Sequence, residues 1–231
     1  MKLLHQQALL HYILFCQVFS SIITLEIAIL VIYNLKVAKT DQDDQSIFFA
    51  KISYSKIRMR GILMLSSDEK KTYMQLAIDK AKEAEKQGEV PIGAVVVDPT
   101  GKIIGTGYNR RELDEDSTQH AEMIAIKEAC KNLGMWRLID CSLFVTLEPC
   151  PMCAGAIINS RIKDVYFGAL DPKAGACGSV VDLFAVERFN HHPHAIRGLY
   201  RDQCAQMLKD FFRAIREKQK QAKNAQKTEN N

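Results

Sequence analysis

Apolar residues are distributed along this chain in two different ways, and the change comes near residue 64. Residues 8–33 (ALLHYILFCQVFSSIITLEIAILVIY) form one long apolar run interrupted by His11, Gln17 and Glu26, long enough to span a bilayer. Beyond Met64 the apolar positions take up the periods of secondary structure. Ser66-Ser-Asp-Glu69 offers an N-cap and a capping box. Tyr73, Leu76, Ala77, Ala81 and Ala84 then recur at helical spacing, which predicts an amphipathic helix over 68–87, stopped by Gly88. Residues 91–98 and 102–109 read as strands joined by the turn Pro99-Thr-Gly101. An acidic loop at 112–116 leads to a helix from His120 to about Asn132. A short buried strand at 143–146, a helix from Pro151 and a strand at 164–168 follow. Residues 174–179 are a glycine-rich loop near the expected mouth of a site. Residues 180–196 are expected to hold a short helix, the polar loop 190–193 and a final strand. Residues 201–222 predict a long helix, apolar at Cys204, Met207, Leu208, Phe211 and Phe212, and the polar tail 223–231 is expected to be disordered. No internal repeat is visible. Alternating strands and helices predict an α/β fold, a sheet covered by helices on both faces.

Composition changes this picture little; charge and cysteine change it more. A hydrophobic fraction of 47% with 25% charged residues is that of a globular chain. The formal charge of +4 is unevenly spread: residues 197–227 hold nine basic and three acidic residues, and 1–63 hold seven and four. Basic charge gathered at one end brings a protein to polyanions, although a solvated helix face has the same composition. Seven cysteines lack the spacing of a disulfide framework and point to a reducing compartment, the cytoplasm. The run 8–33 then has three readings. It is a membrane anchor, a signal peptide (without a small-residue cleavage site to close it), or upstream sequence read in frame. For the third, Arg60-Gly61 can be encoded by a purine run like a ribosome-binding sequence, two codons before Met64, so Met64 is the expected initiator. A membrane enters only if 1–63 is translated.

The chemistry lies in His120-Ala-Glu122 and in Thr146-Leu-Glu-Pro-Cys150-Pro-Met-Cys153-Ala-Gly-Ala. Pro149 and Pro151 suit an entry turn and a first helical position, where no amide partner is needed. Cys150 and Cys153, three apart, project from one face of that first turn. The helix N-terminus favours the thiolate that binds metal. Two sulfurs and the His120 imidazole make three ligands, and a catalytic zinc keeps a fourth position for water or substrate. Glu122 is then the carboxylate that moves protons. The alternative is a disulfide, or two packed thiols beside an unrelated histidine. H-x-E followed by P-C-x-x-C is the known signature of zinc deaminases, so the assignment is by pattern. His191, His192 and His194 invite a second metal site, but a polar loop near the substrate mouth is the simpler reading. Cys130, Cys141, Cys177 and Cys204 read as small buried apolar residues.

From about Ser67 to Lys220 the chain resembles the bacterial tRNA-specific adenosine deaminases, within the cytidine-deaminase superfamily. The resemblance rests on Pro91-Ile-Gly-Ala-Val, Gly107-Tyr-Asn109-Arg, the two metal motifs, Ser160-Arg-Ile and Asp210-Phe-Phe-Arg213. It implies a three-layer α/β/α cytidine-deaminase-like fold with a five-stranded mixed sheet, in a domain spanning 67–222. It also implies a homodimer, one zinc per subunit, and conversion of the wobble adenosine of an arginine tRNA to inosine. His120, Cys150 and Cys153 resemble the zinc ligands and Glu122 the proton shuttle. Asn109, Asp171, Phe212 and Arg213 resemble contacts to the anticodon stem-loop; Asn109 also reads as a strand-end cap and Asp171 as a turn residue before Pro172, while Phe211 belongs to the core. Met64 falls about where chains of this family begin. A deaminase of free bases or nucleotides, such as guanine or cytosine derivatives, shares the metal motifs and is the competing function. A zinc-stabilised RNA-binding module is the non-enzymatic one, with no use for Glu122.

Overall fold

The first helix starts where its cap dictates. In the computed structural model, which describes residues 65–229, Ser66 caps α1 (Ser67–Lys86). Its hydroxyl accepts from the Glu69 amide at 3.3 Å, and its own amide donates to the Glu69 carboxylate at 2.8 Å. The readings made for 1–63, and Met64 as initiator, lie outside the described residues. After α1 come β1 (Gly93–Val97), β2 (Ile103–Tyr108), α2 (Ala121–Leu133), β3 (Ser142–Leu147), α3 (Pro151–Ser160), β4 (Asp164–Ala169), β5 (His194–Arg197) and α4 (Arg201–Glu229).

The five strands form one mixed sheet in the order β2-β1-β3-β4-β5. β1 runs antiparallel to β2 and β3, whereas β3, β4 and β5 are parallel. Successive strand residues point to opposite faces, and both faces are covered. Ala94, Val96, Leu143, Val145, Val165 and Phe167 pack under α2 and α3. Val95, Val97, Phe144 and Tyr166 pack against Met74, Ile78 and Cys204 from α1 and α4. This double burial is why β1 reads as an unbroken apolar run instead of alternating. The three-layer expectation holds. Among the described residues no helix is long and apolar enough to cross a membrane.

Two expectations are corrected. Residues 180–193 form turns and an isolated Cys177–Asp182 bridge with no helix, though the final strand is present as β5. The loop 190–193 lies at the amino end of β4, away from the parallel strands' carboxyl ends: His191 Nε2 is 2.6 Å from the Ile162 carbonyl and His194 Nδ1 3.1 Å from Asp164. His192 turns to the Phe184 carbonyl, so the three histidines share no ligand position. The second correction is at the other end. α4 runs on to Glu229, through residues expected to be disordered, because lysine, glutamine, alanine and glutamate are all strong helix formers.

Candidate active site

Two helix N-termini meet beyond the carboxyl ends of β3 and β4, and small residues bring the first of them in. Ala121, Ala125 and Ala129 lie one turn apart on α2 and are fully buried. They face Gly105 and Gly107 of β2, where an added Cβ would run into the backbone of Ala125 and Ala121. The close fit seats α2 flat on the sheet. It fixes His120 as its N-cap residue and Glu122 in its first turn. The second terminus is built by β3, which leads through Glu148 and Pro149 to Cys150, the N-cap residue of α3. Pro151 opens that helix, and Cys153 sits buried in its first turn.

The three predicted ligands converge. Cys150 Sγ lies 3.6 Å and Cys153 Sγ 3.5 Å from His120 Nδ1, and all three donor atoms fall within 4.8 Å of one another. A tetrahedral zinc with ordinary Zn–S and Zn–N bonds requires S···N edges of about 3.5 Å. The donor set therefore fits zinc in size and in chemistry, and among the described residues no fourth His, Cys, Asp or Glu joins it. All six described cysteines are free, which removes the disulfide alternative. Hydrogen bonds from Cys153 and His120 pull the Cys150 thiol down to about 4, and the Cys150 sulfur in turn raises His120. Beside them Glu122 is 4% exposed; burial pushes its carboxyl up to about 7, against the pull of the His120 charge. Such a value suits a group that must both take and return a proton near neutrality.

His120, Cys150 and Glu122 line the floor of a cleft of about 730 Å³. Asn109 lines it and is buried. Its Nδ2 donates to Glu89 Oε2 at 2.8 Å. Because a carboxylate only accepts, Glu89 fixes the flip of that amide and leaves the carbonyl oxygen for other partners. Glu89, 1% exposed, also accepts from the Leu113 amide at 2.7 Å. A second buried carboxylate, Glu148, accepts from the amides of Asp171, Cys177 and Ser179 at 3.0–3.1 Å, and from the Ser179 hydroxyl. It thereby pins the glycine-rich loop to the cleft wall. Neither role is visible in the sequence: the partners lie 20 or more positions away, and for Glu148 the only signal is an acidic residue between an apolar strand and a proline.

The remaining predicted contacts divide. Asp171 lines the cleft, and its carboxylate also takes the Lys173 and Ala174 amides in a turn. Phe212 lines it too, 43% exposed, while Phe211 is buried as expected. Arg213 does not line the cleft; it pairs with Asp210 at 2.7 Å. Arg216, one turn beyond Phe212, stands there instead. Cys141, Cys177 and Cys204 are buried, and Cys130 is partly exposed.

Comparison with known proteins agrees with this geometry. Residues 67–169 match the family model for the cytidine and deoxycytidylate deaminase zinc-binding region. A tRNA-specific adenosine deaminase from Bacillus subtilis (strain 168) is 52% identical over 151 residues, covering 65% of this chain and 93% of the relative. The chain belongs to the tRNA-specific adenosine deaminase family. Its relative from Haemophilus influenzae is 46% identical over 147 residues, covering 64% of this chain and 85% of that protein. A structure from studies of A-to-I editing by tRNA:A34 deaminases at the wobble position of transfer RNA aligns with a TM-score of 0.57 at 44% identity. It covers 59% of this chain and 99% of that one. A guanine deaminase from Nitrosomonas europaea, 24% identical with a TM-score of 0.52, shares the fold; the alignment covers 64% of this chain and 86% of that one. As a deaminase of this family the protein is a zinc enzyme, with His120, Cys150 and Cys153 as the group that fits the metal.

Proposed function

We propose that the protein converts the wobble adenosine of a tRNA anticodon, that of an arginine tRNA, to inosine by hydrolysis. The observation that carries this reading is a three-donor metal cluster with a buried carboxylate beside it, in a chain 52% identical to a tRNA-specific adenosine deaminase. Bound by His120, Cys150 and Cys153, zinc supplies Lewis acidity that makes water nucleophilic near neutral pH. Glu122 takes a proton from the attacking water and delivers protons to the ring nitrogen and then to the departing amine, so that water and adenosine leave as inosine and ammonia. Asn109, held by Glu89, orients the base, and Phe212 stacks against a neighbouring nucleotide. Asp171 borders the anticodon nucleotides. Arg111, Lys173, Lys209 and Arg216 at the cleft supply the charge that meets phosphate.

We further infer a cytoplasmic homodimer, a reading supported by the resemblance and by exposed Leu170, Val180 and Val181 near the glycine-rich loop. Light scattering of the purified protein tests it, and a monomer at micromolar concentration contradicts it. The substrate reading is tested by incubating the protein with tRNA, guanine and cytidine and measuring the products by mass spectrometry. Inosine in the tRNA at the wobble position is the expected result. Rapid turnover of a free base with no inosine in tRNA would replace it with the free-base reading.

A further inference from the structure

The cleft-facing stripe of α4 continues past the end of the cleft. Ala205, Lys209, Phe212 and Arg216 follow one another along one side of the helix and line the cleft. At about 3.6 residues per turn the same side comes round again at positions 220 and 223, and both are lysine. Beyond Ala205 no acidic residue falls on this stripe. Asp210 lies off it and is tied to Arg213 and Gln206. Glu217 lies about a quarter-turn away, and Lys218 on the opposite side. Among the described residues no ion pair engages Lys209, Arg216, Lys220 or Lys223. The described side chains from Arg216 onward are exposed, so packing does not dictate their identity.

We propose that this lysine-faced extension of α4 is a docking rail for the phosphate backbone of the RNA stem that closes the loop presented to the cleft. The proposal rests on the RNA reading above, and adds a surface outside the active site. An RNA whose target base reaches Glu122 and whose neighbouring nucleotides meet Phe212 and Arg216, as proposed above, carries its flanking duplex toward this end of α4. From Arg216 to Lys223 the helix advances about 10 Å, the length of roughly three base pairs. Lysines meet phosphates there as point charges, which gives affinity and register without reading sequence. A small-molecule deaminase would have no use for a one-sided row of cations beyond its pocket.

The test uses the zinc-loaded full-length protein and two RNAs, an anticodon stem-loop and a linear oligonucleotide of the loop sequence alone. Dissociation constants are measured across a salt series. Replacing Lys220 and Lys223 together by glutamine is expected to weaken stem-loop binding about tenfold at low salt and to lower the salt slope by about one per lysine. Binding of the linear RNA should stay as in wild type, and Lys218→Gln should leave both RNAs unaffected. The proposal is overturned if the double variant binds the stem-loop like wild type. It is equally overturned if Lys218→Gln weakens the stem-loop as much as Lys220→Gln does, since then only bulk charge matters. Inosine formation without lysine dependence would remove the rail and leave the activity standing. Lysine-dependent binding without inosine would remove the activity and keep the rail.

Discussion

In the proposed mechanism Glu122 is the residue at which catalysis and stability oppose one another. Its carboxyl is buried and held near 7, so the folded state keeps its proton longer than the unfolded chain does. A carboxyl raised on folding destabilises the protein as pH climbs from its ordinary range through the folded value. In chelator-treated protein, wild type should therefore lose about 2–3 kcal/mol relative to Glu122→Gln between about pH 4 and pH 8. Urea titrations at several pH values check this, and parallel curves for the two proteins would contradict the burial cost. In the zinc-loaded enzyme the same substitution should lower kcat by a factor of about 100 or more while zinc content stays at one per chain. Glu89 acts one step removed. Glu89→Ala leaves the Asn109 amide and the Leu113 N–H without their acceptor, which should cost about 1–3 kcal/mol of stability. It should also raise KM for RNA with zinc content unchanged. An unaltered KM would show that the orientation of Asn109 does not matter to binding.

At the level of elements, the glycine–alanine contact between β2 and α2 sets where His120 stands. Gly107→Ala forces a methyl group against the Ala121 backbone. The expected result is a loss of about 1–3 kcal/mol and zinc binding weaker than wild type, measured by competition with a chromogenic chelator. Gly155, inside α3, has open space at its Cβ position. Gly155→Ala should therefore be neutral or stabilising by up to about 1 kcal/mol. Equal effects at the two glycines would contradict the packing account. These elements also show what was legible in the sequence. The capping box of α1, the hairpin of β1 and β2, and the proline-led start of α3 are local signals, and each formed within a residue or two of its expected place. The metal cluster was legible because its ligands sit at two helix starts with a known spacing. The 180–193 region was not, because its order comes from partners outside it: the Val180 and Leu183 amides donate to the Gly175 and Ala176 carbonyls, and His191 reaches the Ile162 carbonyl. The tail of α4 departs from the expectation because a polar run of lysine, glutamine and alanine is equally the composition of a solvated helix and of a disordered end. The motif Asp210-Phe-Phe-Arg213 points to Arg213, whereas the helical period from Phe212 leads to Arg216, the arginine that lines the cleft.

Over the whole domain, metal and fold are coupled through the place where α2 and α3 begin. The two thiols and the imidazole there converge on one metal position in the folded chain, so removing zinc should lower the unfolding midpoint, and adding it back should restore the midpoint in a concentration-dependent way. The same junction opens on a cleft whose rim is basic and whose lining includes the buried Glu122 carboxylate, a layout suited to an extruded base on a charged polymer. The most direct measurement is deamination of a synthetic anticodon stem-loop, with a single adenosine at the wobble position, in ¹⁸O-labelled water. One labelled oxygen in each inosine formed, together with released ammonia and their disappearance in Glu122→Gln, is the predicted result. An intact adenosine after exhaustive incubation with zinc-loaded protein, or unlabelled inosine, would contradict the account.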